Sequence, residues 1–255
     1  MTQFNTYVIN LKKDKDKLAK ITKDLNNIKF NFIRFDAING RHTDNKILKK
    51  YVSNICNNFC PDAVIGCGLS HILLAKYFLK NDPNNFALIL EDDAVPLYSN
   101  MKQEIIKCVN NIDKNWDIIK LYCFGFCNYN ANYDNKLLTG SNAAYLLSKN
   151  GAKKISQFKL YNHIDIQYNL SNLSNLRMYK NKYPLFSTYF DKSSTSGKNY
   201  LIEKLFNFKI NNYSPPAYFF LQEKALKIPF VNIELSVYHF LFIILLLLLK
   251  KYKLL

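Results

Sequence analysis

Apolar residues in the first part of the chain recur with two periods, one typical of strands and one typical of helices. Residues 6–11, TYVINL, form a short apolar run, and the next apolar residues recur every three or four positions: Leu18, Ile21, Leu25 and Ile28. The first pattern predicts a strand, and the second predicts an amphipathic helix. Another apolar run at 30–36 precedes an Asn-Gly turn signal, so the stretch predicts a βαβ unit with parallel strands and a right-handed crossover.

The alternation of strand and helix patterns continues through the middle of the chain. A helix is predicted around 44–52, and a longer helical pattern runs from Leu69 to Leu79. Another amphipathic helix follows at 101–112, and WDIIKLY at 116–122 predicts a strand. The block at 140–155 predicts a strand or turn and then a helix. We therefore expect an α/β fold with a mainly parallel central sheet.

The stretch FALILEDDAV, residues 86–95, is an apolar strand that runs directly into three acids. Side chains alternate between the two faces of a strand, so Glu91 and Asp93 are expected to point one way and Asp92 the other. An unpaired carboxylate at the end of a buried strand is costly, and such acids usually meet a cation or a cleft. Our hypothesis is that a divalent metal at these acids holds a phosphorylated donor.

The motif GCGLSH, residues 66–71, is predicted to open the helix that continues to Leu79. Ser70 and His71 would then lie in the first turn, where unbonded backbone N–H groups and the helix dipole favour an anion such as phosphate. From spacing alone, an equal alternative is that Ser70 only caps the helix and that His71 lies on its surface.

Two later segments are candidates for the surroundings of a site. Residues 123–135 are rich in Asn, Tyr and Cys without a period, which predicts a surface loop that could cover a site. Asp165 lies between apolar residues in HIDIQYNL. Its carboxylate is therefore either a helix cap or a reactive group.

The composition of the chain predicts attraction to anionic partners. It has 255 residues, with 35 Lys and Arg against 19 Asp and Glu, and a formal net charge of +16. Nucleic acid, anionic lipid and anionic sugars all carry the complementary charge. No helix-turn-helix, zinc-finger or RNP signature is present and the basic residues are spread along the chain, so we do not expect nucleic acid as the partner.

Six cysteines could form three disulfides, but a chain this long does not require them and no signal peptide is visible before the first strand. We therefore expect reduced thiols. The pairs Cys56 with Cys60 and Cys123 with Cys127 have C-x3-C spacing. Structural zinc pairs usually come closer to a spacing of two intervening residues with a tight turn, so a zinc site is the less favoured interpretation.

The C-terminal segment changes character. Residues 235–249 are apolar or aromatic except for Ser236 and His239, and KKYK follows. A spanning helix needs about 20 apolar residues. This run has fifteen, or slightly more than twenty if it is extended back past Glu234 to Ile228. We predict membrane association, either as a tail anchor or at the interface with lysines on anionic headgroups. The alternative is a buried core helix.

Several motifs, taken together in their order and spacing, resemble glycosyltransferase family 25, the lipopolysaccharide and lipooligosaccharide galactosyltransferase type. They cover roughly residues 5–195 and are YVINL, DAING, GCGLSH, LILEDDA, WDIIKL and GSNAAYLLSKNGAKK, which begin at Tyr7, Asp36, Gly66, Leu88, Trp116 and Gly140. The resemblance implies a GT-A type nucleotide-sugar fold. It also implies an inverting transfer from UDP-galactose or a similar donor to a glycan acceptor.

The resemblance assigns roles to particular residues. Glu91 and Asp93 look like the acidic metal motif that holds Mn2+ or Mg2+ against the donor diphosphate. Asp92 would face the nucleotide ribose or the core. Asp165 would be the base that deprotonates the acceptor hydroxyl. The other donor-binding candidates are Asn10, Leu11, Cys67, Ser70 and His71.

Two positions depart from the family pattern. Relatives commonly carry an arginine soon after the first strand, where this chain has Lys17, so a bidentate phosphate contact is in doubt. The position two before Asp165 is often acidic in the animal relatives and is His163 here. A histidine could serve there as a metal ligand or as the base, with a different pH dependence.

The leading interpretation is a metal-dependent glycosyltransferase at the cytoplasmic face of a membrane, acting on a lipid-linked or cell-surface glycan precursor. A flavodoxin-like phosphotransfer domain would place similar acids and Mg2+ at a strand end, but it gives no reason for GCGLSH. A membrane-anchored, non-catalytic interaction protein is the third interpretation. The predicted parts are a catalytic domain at 1–198, a basic and aromatic linker at 199–234 and a hydrophobic membrane-associating tail at 235–255.

Overall fold

The structure, a computed structural model, describes residues 3–112, 115–122, 141–169, 175–189, 224–228 and 233–251. Its strands, in chain order, are β1 (Asn5–Asn10), β2 (Ile33–Asp36), β3 (Phe86–Glu91), β4 (Ala94–Pro96), β5 (Ile118–Lys120), β6 (Ala144–Ser148), β7 (Met178–Lys180), β8 (Phe186–Thr188), β9 (Lys224–Ile228) and β10 (Ile233–Ser236). Its α-helices are α1 (Lys15–Asn27), α2 (Asn45–Tyr51), α3 (Asn54–Phe59), α4 (Asp62–Asn81), α5 (Met101–Asn110), α6 (Lys149–Ile155), α7 (Ile164–Asn169) and α8 (Val237–Lys251), with a short 3-10 helix at Gly40–His42.

Six strands form the central sheet, in the order β2-β1-β3-β6-β5-β7. β1 pairs in parallel with β2 and β3, and β5 pairs in parallel with β7, while β6 runs antiparallel to both β3 and β5. All the strands of this sheet except β6 therefore share one direction, which confirms the predicted α/β fold with a mainly parallel sheet. Because parallel strands end at the same edge, the carboxyl ends of β1, β3 and β5 lie along one edge of the sheet.

The first strand-helix-strand unit forms as its pattern predicts. Tyr7 of β1 is in register with Ile33 of β2, and the two strands are parallel. Helix α1 connects them and buries Ile21 and Leu25 from its apolar stripe. Both side chains pack in the same hydrophobic cluster as Val8 of β1, so burial of the stripe holds the helix on the sheet.

Side chains of β3 alternate between two hydrophobic clusters, one on each face of the sheet. Ala87 and Ile89 pack in the cluster that includes α4. Leu88 and Leu90 pack in the cluster that includes α1 and α5. Glu91 comes next in this alternation, so its side chain is directed to the α4 face.

Helix α4 begins at Asp62, so the prediction that Ser70 and His71 lie in a first turn is wrong. The first glycine of the motif, Gly66, allows α4 to pack closely against a neighbouring segment. A Cβ on Gly66 would lie 2.5 Å from the Ile38 carbonyl oxygen, a distance that a real side chain does not tolerate. GCGLSH is therefore where α4 packs against the turn after β2, and its backbone N–H groups are used within the helix rather than for an anion.

The expectation of reduced thiols is wrong for one cysteine pair. Cys56 and Cys60 form a disulfide, with their Cα atoms 4.6 Å apart. They lie four residues apart at α3, so one helical turn brings the sulfurs together, a local geometry that an argument from chain length does not consider. Cys67 and Cys108 are not in disulfides. The second C-x3-C pair and the loop predicted at 123–135 lie outside the described residues.

Helix α8 covers most of the apolar C-terminal run and has 15 residues. Its aliphatic side chains at 241 and 243–248 are exposed. Because these residues are nearly consecutive, they cover every side of the helix, and the alternative of a buried core helix does not describe them. Within the described ranges, only α4 is long and apolar enough to cross a membrane by length and composition, and 61% of that stretch is buried inside the protein. The boundary predicted after residue 198 lies outside these ranges.

Candidate active site

The three acids occupy the end of β3 and the turn that leads into β4. Hydrogen bonds hold the backbone on both sides of this turn. The Glu91 N–H donates to the Ala143 carbonyl (2.8 Å), and the Tyr189 N–H donates to the Asp93 carbonyl (2.8 Å). β4 then pairs antiparallel with β8. The carboxylates therefore project from a backbone that is fixed at two points.

Glu91 contacts helix α4 through His71. The His71 Nε2 lies 3.1 Å from Glu91 Oε1, and Nδ1 lies 2.8 Å from the Tyr145 hydroxyl. Burial lowers the pKa of His71 to about 4, so the ring is neutral near pH 7 and its contact with Glu91 is a hydrogen bond rather than an ion pair. Cys67, one turn earlier on α4, also has its sulfur close to these groups. The fold thus brings His71 and Cys67 to the acids.

Ser70, the third candidate from GCGLSH, has a packing role. Its hydroxyl donates to the Gly66 carbonyl (2.7 Å) and accepts from the Ile38 N–H (2.8 Å). The side chain is buried. Ser70 therefore joins α4 to the turn after β2, and its hydroxyl is already engaged there.

Asp92 lies in the turn after β3, which ends at Glu91, so the strand alternation predicted for the three acids does not extend to it. It accepts a hydrogen bond from Asn10 Nδ2 (2.8 Å) and lies 3.8 Å from Lys17 Nζ. The Asn10 side-chain oxygen accepts from Arg34 Nε (3.0 Å). This chain of contacts links the ends of β1 and β3 to β2. Leu11 follows Asn10 directly and is partly buried at the start of the turn into α1.

Glu91 and Asp93 bring two carboxyl groups together at a partly buried place, where the Glu91 side chain is 29% exposed. Burial raises the pKa of Glu91, and the neighbouring Asp165 and Asp92 raise it further. Burial also raises the pKa of Asp93, followed by the charge of Glu91. Within the part of the chain that the structure describes, Asp93 Oδ1 is buried without a hydrogen-bond partner. A cation at this position would offset the repulsion and satisfy that oxygen.

Asp165 approaches the same acids from α7, where it lies in the first helical turn. Among side-chain charges, Asp165 has the largest effect on the pKa of both Glu91 and His71. Its Oδ2 lies 3.6 Å from His163 Nδ1. The fold thus brings the predicted base and its histidine neighbour close to the acidic strand end, although they come from a distant part of the sequence.

Lys120 is a functional candidate that the sequence interpretation misses. It ends β5, is almost fully buried, and donates from Nζ to the Ser141 carbonyl (2.8 Å) and to the Asn142 side chain. Burial lowers the pKa of Lys120 to about 8, while the charges of Asp165 and Glu91 oppose that shift. The sequence feature that could have revealed this residue is a lysine inside the apolar run DIIKLY, because a strand seldom buries a charge without a partner.

The residues at this strand end fit a divalent metal. Glu91 and Asp93 offer carboxylate oxygens, the ligands that Mn2+ and Mg2+ prefer, and one Asp93 oxygen is unsatisfied. Ligand atoms of Cys67, His71 and Glu91 also lie within 4.8 Å of one another. Glu91 therefore belongs to two sets of metal-ligating atoms.

An α/β sheet with acids at the carboxyl end of a central strand is typical of enzymes that bind a ligand in the crevice at that edge. The profile of glycosyltransferase family 25, described as an LPS biosynthesis protein, matches residues 3–204. The chain belongs to this family, so its class of activity is glycosyl transfer. The match also confirms the resemblance that the motifs indicate.

Solved structures give only distant likenesses. A glycosyltransferase involved in the glycosylation of the major capsid of PBCV-1 is 10% identical, with a TM-score of 0.46, over 74% of this chain and 94% of that one. A mutant of Drosophila beta-1,4-galactosyltransferase 7 in complex with manganese, UDP-Gal and xylobiose is 9% identical, with a TM-score of 0.41, over 80% of this chain and 79% of that one. No curated protein matches the chain. We draw no functional conclusion from these likenesses.

Proposed function

We propose that this chain is a metal-dependent, inverting glycosyltransferase that moves a hexose from a UDP-sugar to a glycan acceptor such as lipooligosaccharide. Galactose is the hexose that we favour. The observation that carries the proposal is the acidic end of β3, at Glu91, Asp92 and Asp93, in a chain of family 25. The raised pKa values of Glu91 and Asp93 and the unsatisfied Asp93 oxygen indicate a place suited to positive charge.

Glu91 and Asp93 are the residues that would hold Mn2+ or Mg2+. When bound, the metal supplies positive charge that stabilises the departing UDP. His71 orients Glu91, because its Nε2 bonds to the carboxylate while Tyr145 holds the other ring nitrogen. The Glu91 carboxyl is thus held in place before any ligand binds.

The contacts around Asp92 suit the nucleotide part of the donor. The Asp92 carboxylate can accept hydrogen bonds from ribose hydroxyls, and buried Asn10 orients it. Lys17 supplies positive charge at one end of the same network, which suits a diphosphate, whereas Arg34 at the other end is paired with Asp36 at 2.6 Å. Leu11 supplies an apolar edge next to Asn10.

Inversion requires a base on the acceptor side of the sugar. The acceptor oxygen forms a bond to the anomeric carbon while the bond from that carbon to the UDP oxygen breaks, and the acceptor proton passes to the base. We assign this role to Asp165, which lies near Glu91 in the fold. His163, 3.6 Å from the Asp165 carboxylate, would hold that carboxylate in position.

We also propose that the protein works at the cytoplasmic face of a membrane, attached by its C-terminal tail. Helix α8 exposes aliphatic side chains on every side, which is unfavourable in water and favourable in an apolar phase. The lysines at 250, 251 and 253 follow the apolar run and would bind anionic headgroups. Attachment of this kind would hold the site near glycolipid acceptors.

The test is UDP release by the purified full-length chain in detergent. A panel of UDP-sugars is incubated with Mn2+ or Mg2+, with and without glycan acceptors, and UDP is measured. We expect release from a UDP-hexose that increases with acceptor and is lost with a chelator. The anomeric configuration of the product, read by NMR, should be inverted relative to the donor.

Two variants complete this experiment. Asp93→Ala should abolish release because it removes a proposed metal ligand. Asp16→Ala, which changes an exposed acid on α1, is the matched control and should keep wild-type activity. Wild-type protein that releases no UDP from any donor would contradict the proposed function, and full activity after chelation would contradict the metal.

A further inference from the structure

Glu91 shares a second set of metal-ligating atoms with helix α4. Cys67 and His71 are four residues apart on α4, so both lie on one face of the helix. The Cys67 sulfur, a His71 ring nitrogen and a Glu91 carboxylate oxygen all lie within 4.8 Å of one another. Zinc binds such ligands at about 2.0–2.3 Å, so one ion can reach three atoms at these separations after small side-chain movements.

The surroundings of His71 are those of a metal-ligating histidine. Its Nδ1 lies 2.8 Å from the Tyr145 hydroxyl, and its Nε2 faces Glu91 at 3.1 Å. With the proton on Nε2 the ring donates to the Glu91 carboxylate. With the proton on Nδ1 it donates to the Tyr145 hydroxyl and presents the Nε2 lone pair toward Glu91, which is the tautomer that a bound ion would select. The His71 side chain is 1% exposed, so packing holds the ring in this orientation.

This set of ligands favours a different ion from the one assigned to Glu91 and Asp93. Thiolate and imidazole select softer ions such as Zn2+, whereas Mn2+ and Mg2+ prefer carboxylate, carbonyl and water oxygens. We infer that Cys67, His71 and Glu91 form a site for Zn2+ or a similar thiophilic divalent ion, with a fourth position open to water. Cys67 is only partly buried, which leaves the site accessible.

Zinc binding at this site has a consequence for activity, because both sets of ligands use Glu91. The Cys67 thiol releases its proton to solvent as the sulfur coordinates the ion, and a protonated Glu91 releases its proton as well and binds as a carboxylate. Glu91 is then unavailable to the activating metal, so Zn2+ should inhibit the transfer. This inhibition rests on the proposed function, whereas the binding does not.

Co2+ is the probe for binding, since it needs no donor or acceptor. Thiolate-bound Co2+ in a tetrahedral site gives visible bands and a near-ultraviolet charge-transfer band from sulfur. We expect these bands when Co2+ is added to the full-length chain in detergent without a thiol reductant, which leaves the Cys56–Cys60 disulfide intact. Zn2+ should bleach the bands by displacement.

Three variants test whether Cys67 is a ligand of the ion. Cys67→Ser should lose the charge-transfer band. Cys108→Ser should keep it, because Cys108 is buried in the cluster on the other face of the sheet. Asp93→Ala should also keep it, because Asp93 belongs only to the oxygen set. Circular dichroism verifies the fold of each variant. No band in the wild type, or an unchanged band in Cys67→Ser, would overturn the inference.

Inhibition is measured as UDP release at increasing Zn2+ with Mn2+ held constant. In Cys67→Ser, relative to its own rate without zinc, the Zn2+ concentration for half inhibition should rise about tenfold or more. Equal sensitivity in wild type and variant would overturn the inhibitory link. A chain that releases no UDP but shows a Cys67-dependent Co2+ band would contradict the proposed function and support the zinc site.

Discussion

The carboxyl end of β3 partly buries acidic side chains, whereas helix α8 exposes aliphatic ones, and each is the reverse of the usual distribution between core and surface. At the end of β3, Glu91 and Asp93 are acids with raised pKa values, because burial removes water from around them. In α8, aliphatic side chains are exposed. Each arrangement is unfavourable for the chain alone, and each improves with something from outside it, a cation in the first case and an apolar phase in the second. Buried polar groups and exposed apolar groups thus point to different partners.

The two regions also differ in what holds them. The Glu91 N–H donates to the Ala143 carbonyl, and the side chains of His71 and Asn10 bond to Glu91 and Asp92. This part of the site therefore has its shape before a ligand arrives. Helix α8 instead follows β10 near the end of the chain. We therefore expect substitutions at the acids to change chemistry and changes in α8 to alter location.

The largest effect should come from loss of a metal ligand. We expect Glu91→Ala to weaken Mn2+ binding by more than about a hundredfold, since loss of an outer-shell residue alone commonly costs 10–100-fold. Electron paramagnetic resonance of unbound Mn2+ during a titration measures the affinity. Asp16→Ala should bind as the wild type does. Unchanged Mn2+ affinity in Glu91→Ala would mean that Glu91 is not a ligand of the metal.

The next effect should come from the tail. Removal of residues from Val237 onward keeps the β9–β10 pair and should lower binding to anionic phospholipid vesicles by about tenfold or more, because the apolar helix is lost. Vesicle co-sedimentation measures the bound fraction. The double variant Lys250→Glu and Lys251→Glu should lose part of the binding to anionic vesicles and keep binding to neutral ones. Aggregation of the truncated chain without vesicles would instead mean that α8 belongs to the core.

Lys120 is a buried cation beside the acids, and its removal should change how they titrate. Its charge lowers the pKa of Glu91, so Lys120→Met should shift the pH profile of UDP release upward and reduce the rate severalfold at neutral pH. The loss of a donor to Ser141 and Asn142 should also destabilise the fold by about 1–3 kcal/mol. Lys120→Arg keeps the charge and should restore the pH profile in part. Profiles that coincide in wild type and Lys120→Met would contradict this role.

The smallest effect should appear in stability against pH. Burial raises the pKa of Glu91 from its usual 4.5 to about 8, so between these values the folded state holds a proton that the unfolded state has released. The free energy of unfolding without metal should therefore fall as pH rises across this window. Glu91→Gln, which cannot ionise, should reduce the change in the free energy of unfolding across this window by an amount on the order of 1 kcal/mol. Urea unfolding at several pH values measures it, and identical slopes in both proteins would contradict the raised pKa.

Local patterns predict where the acidic strand end lies but not how its side chains are directed. An apolar run followed by acids predicts a strand that ends at Glu91, whereas Asp92 and Asp93 lie in the turn after it, where strand alternation does not apply. The motif GCGLSH misleads because glycine serves both close approach to a ligand and close packing of backbone. Only the contact between Gly66 and Ile38 separates these two uses, and it depends on tertiary structure.

Long-range neighbours could not be predicted from the residues alone. Lys120 reaches the surroundings of Glu91 because β6 lies between β3 and β5, and strand order does not follow from periodicity. Arg34 bonds to Asn10 because β2 is parallel to β1 with Arg34 beside Val8. Each contact joins residues whose local patterns carry no sign of the other.

The reversed direction of β6 has a consequence for how such a protein diverges. The chain leaves β5 at Tyr122 and returns toward β6 at Ser141, and both residues lie at the edge that carries the acids. The intervening residues are outside the described ranges, but their attachment points belong to one edge of the sheet. Insertions and deletions between these points leave the pairing of β5 and β6 with each other and with their described neighbours in place. Over evolutionary time, the length of this connection can therefore change while the described strands beside the acids stay as they are.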